Sequence, residues 1–403
     1  MRFPNYSSEW HSYTLGEILT FYSTNSFSRE KLNYDTGSVK NIHYGDIHTK
    51  FPSIVSIDNN KDIPFINDDL DLSKFSEDQY LREGDLIIAD ASEDYEDIGK
   101  AIEVKDINNE KVLAGLHTIL ARDENDMAVN GFKAYLFSTN NLKTKIKIIA
   151  NGISVLGISK NNLSKLNVEI PSKKEQQNIV SFISDIDKKI ELLEKKHQLY
   201  LDFKNYLMQQ IFAQKLRFNF DDEWKQYKLK DVLTVKSSSI SINQLEENTG
   251  DYPLYGASGF LKNIDFCEMD VDYISIVKDG SGVGNLSFHE KNSSIVNTSQ
   301  YLLPKKNFNI NFLYYLLQTI NLMKYVNGSS IPHIYFKDYC IEKINIPSLD
   351  EQEKIGKLFV DVDITMENLN KNINATQEFK KGLLQQMFVV QLILSLLQHK
   401  KHI

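Results

Sequence analysis

Cysteine is almost missing from this 403-residue chain: Cys267 and Cys340 are the only two. They stand far apart, with no second thiol near either. That excludes a disulfide framework and a cysteine-based zinc site, and it fits a reducing cytoplasm. Long apolar runs are missing as well. The longest, Met387 to Leu397, is broken by Gln391 and Ser395 and is too short to span a bilayer. The opening MRFPNYSSEW lacks the apolar core of a signal peptide. There is no basic excess: the net charge is −8, and residues 10–150 carry 15 Lys/Arg against 24 Asp/Glu. Such a balance argues against a protein that coats nucleic acid through its overall field, and leaves local patches or a basic partner to do that work.

Catalytic signatures are also wanting. The run Asp279-Gly280-Ser281-Gly282-Val283-Gly284-Asn285 lacks the Gly-Lys-Ser/Thr close of a P-loop. Asn285 stands where a dinucleotide fingerprint needs its last glycine, so a hairpin loop is expected there. No Pro-Pro pair exists, which removes the Asn/Asp-Pro-Pro-aromatic motif of an aminomethyltransferase. The nine histidines are scattered, with no His-Glu-x-x-His pattern for a metal. Glu103-Val104-Lys105, with Asp90 upstream, has the residue types of a nuclease site, but Glu-x-Lys is too common by chance to carry that reading.

What the chain does have is an internal repeat. Asn151-Gly152 recurs as Asn327-Gly328, Ile170-Pro171-Ser172 as Ile346-Pro347-Ser348, and Glu175-Gln176 as Glu351-Gln352. Asp185 and Asp187 recur as Asp361 and Asp363, Phe203-Lys204 as Phe379-Lys380, and Gln209-Gln210 with Phe212 as Gln385-Gln386 with Phe388. All share one offset of 176 residues. Trp10, Tyr13, Leu15, Leu19 and Thr20 recur as Trp224, Tyr227, Leu229, Leu233 and Thr234 at an offset of 214. Between these parts the halves diverge, so the order is variable, shared, variable, shared, and the first variable block is the longer by 38 residues.

Each shared block opens with an extended run ending at Pro171 or Pro347 and continues into a charged first turn, as a helix N-terminus does. Apolar residues then step at three-four spacing: Ile179, Ile183, Ile186, Ile190, Leu193, Tyr200, Leu207 and Ile211 in one copy. In the other they are Ile355, Phe359, Val362, Met366, Leu369, Ile373, Leu383 and Met387. This periodicity predicts two long helices paired antiparallel as a coiled coil, with His197, Lys204, Thr376 and Lys380 as imperfections in the seam. From Glu175 to Phe212 such a helix would be about 57 Å long. The variable blocks read as mixed α+β. Strand-like runs such as Asp85–Ala89 and Tyr273–Val277 are set among turn residues, and a helix-like stretch runs from Asn311 to Tyr325.

This layout resembles the specificity subunit of Type I restriction–modification systems. The resemblance rests on the Ile-Pro-Ser then Glu-Gln opening of each helix, the Gln-Gln-x-Phe close and the Asn-Gly-x-Ser entries at 151 and 327. Looser support comes from Tyr252–Gly259 and Val277–Gly282 in the second variable block, and from Tyr44–Ile47 and Gly84–Asp90 in the first. It covers residues 10–388 and implies an α+β chain of two globular target-recognition domains with two long antiparallel helices and an internal pseudo-two-fold repeat. The parts would be a first recognition domain at 1–150, a shared region with its helix at 151–223, a second domain at 224–326, and a shared region with a C-terminal tail at 327–403.

The implied function is non-catalytic: reading a bipartite, asymmetric double-stranded DNA target and directing methylation and restriction by others. The implied partners are two adenine methyltransferase subunits and endonuclease/translocase subunits. S-adenosylmethionine, and ATP and Mg in the restriction complex, would be used by those partners and none by this chain. Candidate DNA contacts are Tyr44, His48, Lys50 and His117, with Lys143, Lys145 and Lys147 for phosphates. In the second block they are Lys278, Ser281, Lys291, Asn297, Thr298, Ser299 and Gln300. Any one of them could equally be a solvated loop or capping residue. A coiled-coil scaffold with two protein-binding α+β domains is the alternative, favoured by the acidic first block but silent on why matched helices carry unlike domains.

Overall fold

The computed structural model describes residues 3, 6, 9–58, 60–245, 248–328 and 330–388. The apolar tail after Phe388, expected either to extend the second helix or to be dispensable, lies outside them. Two helices of 40 residues each dominate, Lys173–Phe212 and Leu349–Phe388. The chain divides into two compact units: unit 1 takes residues up to Glu191 and those from Asn374, and unit 2 runs from Leu192 to Ile373. Each long helix therefore gives one half to each unit.

Within unit 1, a five-stranded sheet runs in the order Thr20–Tyr22, Thr118–Arg122, Leu86–Ala89, Ala101–Lys105, Ile54–Ser56. Unit 2 has a four-stranded counterpart, Leu233–Ser237, Ser299–Pro304, Tyr273–Val277, Leu286–His289. The additional strand of unit 1, Ile54–Ser56, pairs parallel to Ala101–Lys105. The central strands Leu86–Ala89 and Tyr273–Val277 are buried at every position, which explains their unbroken apolar character. The sequence repeat is repeated in register. His11 pairs antiparallel with Ile170, and Lys225 with Ile346; Leu15 N–H donates to Leu166 O as Leu229 N–H does to Glu342 O.

The helices run antiparallel, as each unit shows by itself. In unit 1 Lys380 meets Asp187 at 2.5 Å; in unit 2 Lys204 meets Asp363 at 2.7 Å. Both lysines, expected as seam defects, are thus cross-helix ion partners. The same aspartates accept from a domain tyrosine: Tyr135 Oη lies 3.0 Å from Asp187, and Tyr315 Oη 2.6 Å from Asp363. Each lysine also lies over that tyrosine's ring, at 5.5 Å and 5.1 Å. The helix ends do more than face one another, because they enter the domain cores. Ile179, Ile183, Leu384 and Met387 are buried with the first sheet, and Leu207, Ile211, Ile355 and Phe359 with the second. Phe388 packs edge-on to Trp10 and against Phe132, while Phe212 packs on Phe312 and Phe359.

The Glu-Gln pair at each helix start is a clamp. Gln176 Oε1 accepts from Val129 N–H at 2.9 Å, and its Nε2 donates to Pro171 O at 2.9 Å and Met127 O at 3.2 Å. Gln352 does the same with Asn309 N–H and Pro347 O, at 2.9 Å and 3.0 Å. Buried Glu351 takes two bonds from Arg217, at 3.1 Å and 2.7 Å. Gln176→Ala strands buried backbone groups and should cost about 2 kcal/mol. A urea titration reads this as a lower midpoint at unchanged slope; an unmoved midpoint would deny the clamp.

Candidate DNA interface

The two central strands end on equivalent backbone. Beyond Ala89, Asp90 N–H donates to His117 O at 3.1 Å, and Ile158 N–H donates to Asp90 O at 2.9 Å. Beyond Val277, Lys278 N–H donates to Thr298 O at 2.9 Å, and Ile334 N–H donates to Lys278 O at 2.8 Å. Each next strand starts opposite, with Thr118 paired to Ala89 and Ser299 to Val277. Asp90 thus occupies the place of Lys278, and His117 that of Thr298. Sheet hydrogen bonding fixes the backbone of each rim, and the side chains it carries differ entirely.

On the first rim Asp90 Oδ1 lies 3.5 Å from His117 Nδ1, with both side chains partly exposed. Burial pushes the Asp90 carboxyl above its ordinary range, and His117 opposes that shift. His117 holds a left-handed backbone, φ 53°, a conformation uncommon outside glycine and often met at functional sites. Tyr44 lies edge-on to both His117 and His48, with ring centroids 5.3 Å and 6.0 Å away. His48 Nε2 sits 3.0 Å from Ala91 O, and Lys100 donates to His48 O at 2.7 Å. Tyr44, His48 and His117 are therefore brought together. Beneath them His43 accepts from Gly45 N–H at 3.2 Å; burial, aided by Arg29, pushes its imidazole below the usual range.

The remaining first-block candidates scatter. Lys50 is held by Tyr34 Oη at 2.7 Å and Asp46 at 3.2 Å. Lys143, Lys145 and Lys147 lie on the helix Asn140–Ile149. Lys145 donates to Asn167 O at 2.7 Å, Lys147 pairs with Glu96 at 2.6 Å, and burial lowers Lys143. Alternate residues of a helix diverge by about 200°, so Lys145 lies on a different face from Lys143 and Lys147, and the three form no single phosphate stripe.

On the second rim Lys278 lies 3.3 Å from Asp279, and Ser281, Asn297 and Thr298 are exposed beside it. Gly280 to Asn285 closes the hairpin joining Tyr273–Val277 to Leu286–His289, the loop expected from sequence. Ser299 and Gln300 belong to the strand Ser299–Pro304: Ser299 is buried, and Gln300 donates to Ser237 Oγ at 3.2 Å. Lys291 is at the other end of the sheet, where its N–H donates to Asp272 at 2.9 Å. Five strand residues lie between Asp272 and Lys278, a separation of about 20 Å.

Sequence reasoning did not name Asp90 or His43 among the candidates, yet the fold sets Asp90 beside His117 and buried His43 against Tyr44. The signal for Asp90 was its place directly after a buried apolar run, where a strand ends at the surface. Glu103, weighed as a nuclease carboxylate, is buried and holds Gly131 N–H and Ala134 N–H at 2.7 Å and 3.0 Å and Lys133 at 2.9 Å. Among the described residues no group of His, Cys, Asp and Glu is arranged to hold a metal, and no helix is long and apolar enough to cross a membrane.

Residues 7–199 and 221–377 match the family model for the Type I restriction modification DNA specificity domain. The chain belongs to this family. It is a DNA sequence-recognition chain of a restriction–modification system, the non-catalytic part of such complexes. A type I specificity subunit of Mycoplasma pneumoniae is 25% identical over 244 residues, 58% of this chain and 89% of that one. The specificity subunit of the Type I restriction enzyme MjaVIII from Methanocaldococcus jannaschii is 28% identical over 182 residues, 41% of this chain and 42% of that one. In fold, the chain resembles the S subunit crystal structure from M. genitalium, with a TM-score of 0.62 at 16% identity over 96% of this chain and 99% of that one. It also resembles a chain from a structure of type I complex assembly, with a TM-score of 0.56 at 15% identity over 94% and 97%.

Proposed function

We propose that this chain reads a bipartite, asymmetric DNA target through its two strand-end rims. In the first block the reading residues are Tyr44, His48 and His117; in the second they are Lys278, Ser281, Asn297 and Thr298. Two S-adenosylmethionine-dependent adenine methyltransferase subunits dock on the helical regions 151–223 and 327–403, and endonuclease/translocase subunits using ATP and Mg complete the restricting form. The observation that carries this reading is the equivalence of the rims: one hydrogen-bonded backbone presents unlike side chains, as expected of two modules reading different bases. The net charge of −8 leaves phosphate attraction to the partners.

Exchanging residues 10–150 for the matching block of a relative should change one half-site and leave the other untouched. Long-read mapping of methylated adenines in cells carrying the modification subunits measures this directly. Both half-sites changing together would overturn the modular reading, and methylation indifferent to the exchange would favour a scaffold.

A further inference from the structure

Position 90 in unit 1 and position 278 in unit 2 are the same place in two copies of one sheet. Each donates its N–H to the carbonyl before the neighbouring strand, and each accepts from the residue that opens the segment after the Asn-Gly turn. Each side chain is partly exposed, at 30% for Asp90 and 22% for Lys278. Their hydrogen-bonding character is opposite. An aspartate carboxylate only accepts, whereas a lysine ammonium only donates. In the major groove the amino group of cytosine is a pure donor, and guanine offers two acceptors, O6 and N7. Adenine sets an acceptor beside its amino group, which makes it a poorer match for a carboxylate. The neighbours sharpen the contrast: His117 at 3.5 Å steadies Asp90, and Asp279 at 3.3 Å steadies Lys278.

We infer that Asp90 is a specificity-determining residue: the first rim reads a G·C pair from its cytosine through Asp90, and the second rim reads one from its guanine through Lys278. This rests on the DNA-reading assignment above and names the base class at one position of each half-site.

The test uses the full chain co-expressed with its modification subunits, with methylation mapped genome-wide. Asp90→Ala should lower the preference at one G·C position of one half-site about tenfold, and Lys278→Met should do so at one G·C position of the other. In each variant the untouched half-site reports an assembled complex. A second arm uses the purified wild-type complex on synthetic duplexes. N4-methylcytosine, which removes the groove-facing amino hydrogen, should weaken binding about tenfold at the Asp90 position and leave Asp90→Ala unaffected; 7-deazaguanine should do the same for Lys278. The inference is overturned if Asp90→Ala keeps every preference or relaxes an A·T position. It is equally overturned if wild type tolerates N4-methylcytosine at every cytosine of the half-site, a result that decides the matter even where a variant fails to assemble. A failure of the DNA-reading assignment itself would look different, since the block exchange would then leave both half-sites unaltered.

Discussion

Lys133→Met should destabilise unit 1 by about 3–5 kcal/mol, the usual loss when one partner of a buried ion pair is removed. Glu103 and Lys133 are almost fully buried, their side chains 1% and 4% exposed, at 2.9 Å. Glu103 lies in the strand Ala101–Lys105 and also takes two N–H groups at the start of the helix Phe132–Phe137, so it ties sheet to helix. Burial already pushes its carboxyl upward, with Lys133 the main opposing influence. Without the ammonium, a carboxylate either stays charged in an apolar site or binds a proton and weakens its grip on the backbone donors. A second change, Glu103→Gln, should recover part of the loss by removing the charge while keeping one acceptor. Denaturation midpoints of the single and double variants measure both effects. A double variant no better than Lys133→Met would show that the orphaned charge is not the cause.

Acid should weaken unit 2 through His289. His289 is buried against Tyr255 and Tyr273, its Nε2 2.9 Å from Ser275 Oγ, and burial pushes its pKa from 6.5 down to about 4. Between those values the unfolded chain holds a proton that the folded chain refuses, so folding stability falls as pH drops from about 6.5 to about 4 and is complete above that window. The full difference is on the order of 3 kcal/mol. Thermal unfolding of the full chain at pH 7.0 and 4.5 should show the loss, and His289→Gln should flatten it. An equal acid slope in both proteins would place its origin elsewhere.

The long helices were legible because their apolar steps repeat, and the repeat itself announced the antiparallel pair. Lys204 and Lys380 were not: a local pattern records a charge on the seam but not its partner, which lies on the other helix. The two sheets were harder still. Leu86–Ala89 and Tyr273–Val277 stand out as apolar runs, yet nothing local says that Ile54–Ser56 pairs parallel to a strand nearly 50 residues later. Tyr44 and His48 stand some 70 residues from His117 in the sequence, and only the folded chain places the three together. Lys143, Lys145 and Lys147 look alike in sequence, but once the helix turns Lys145 reaches Asn167 while Lys143 and Lys147 share the face toward Glu96.

The tyrosine–aspartate–lysine contact has a consequence for how such a chain can change. Its aspartate and lysine belong to the duplicated helices, while Tyr135 and Tyr315 come from the blocks whose sequences diverge. The helix pair is in effect a socket with fixed terminals, and a foreign domain needs only the right plug: a tyrosine in place, and a free N–H for the glutamine. Genetic crossovers falling inside the duplicated segments would then deliver a new reader already wired to its mount. New DNA sequences could be acquired by shuffling whole blocks, with no repair of the machinery beneath.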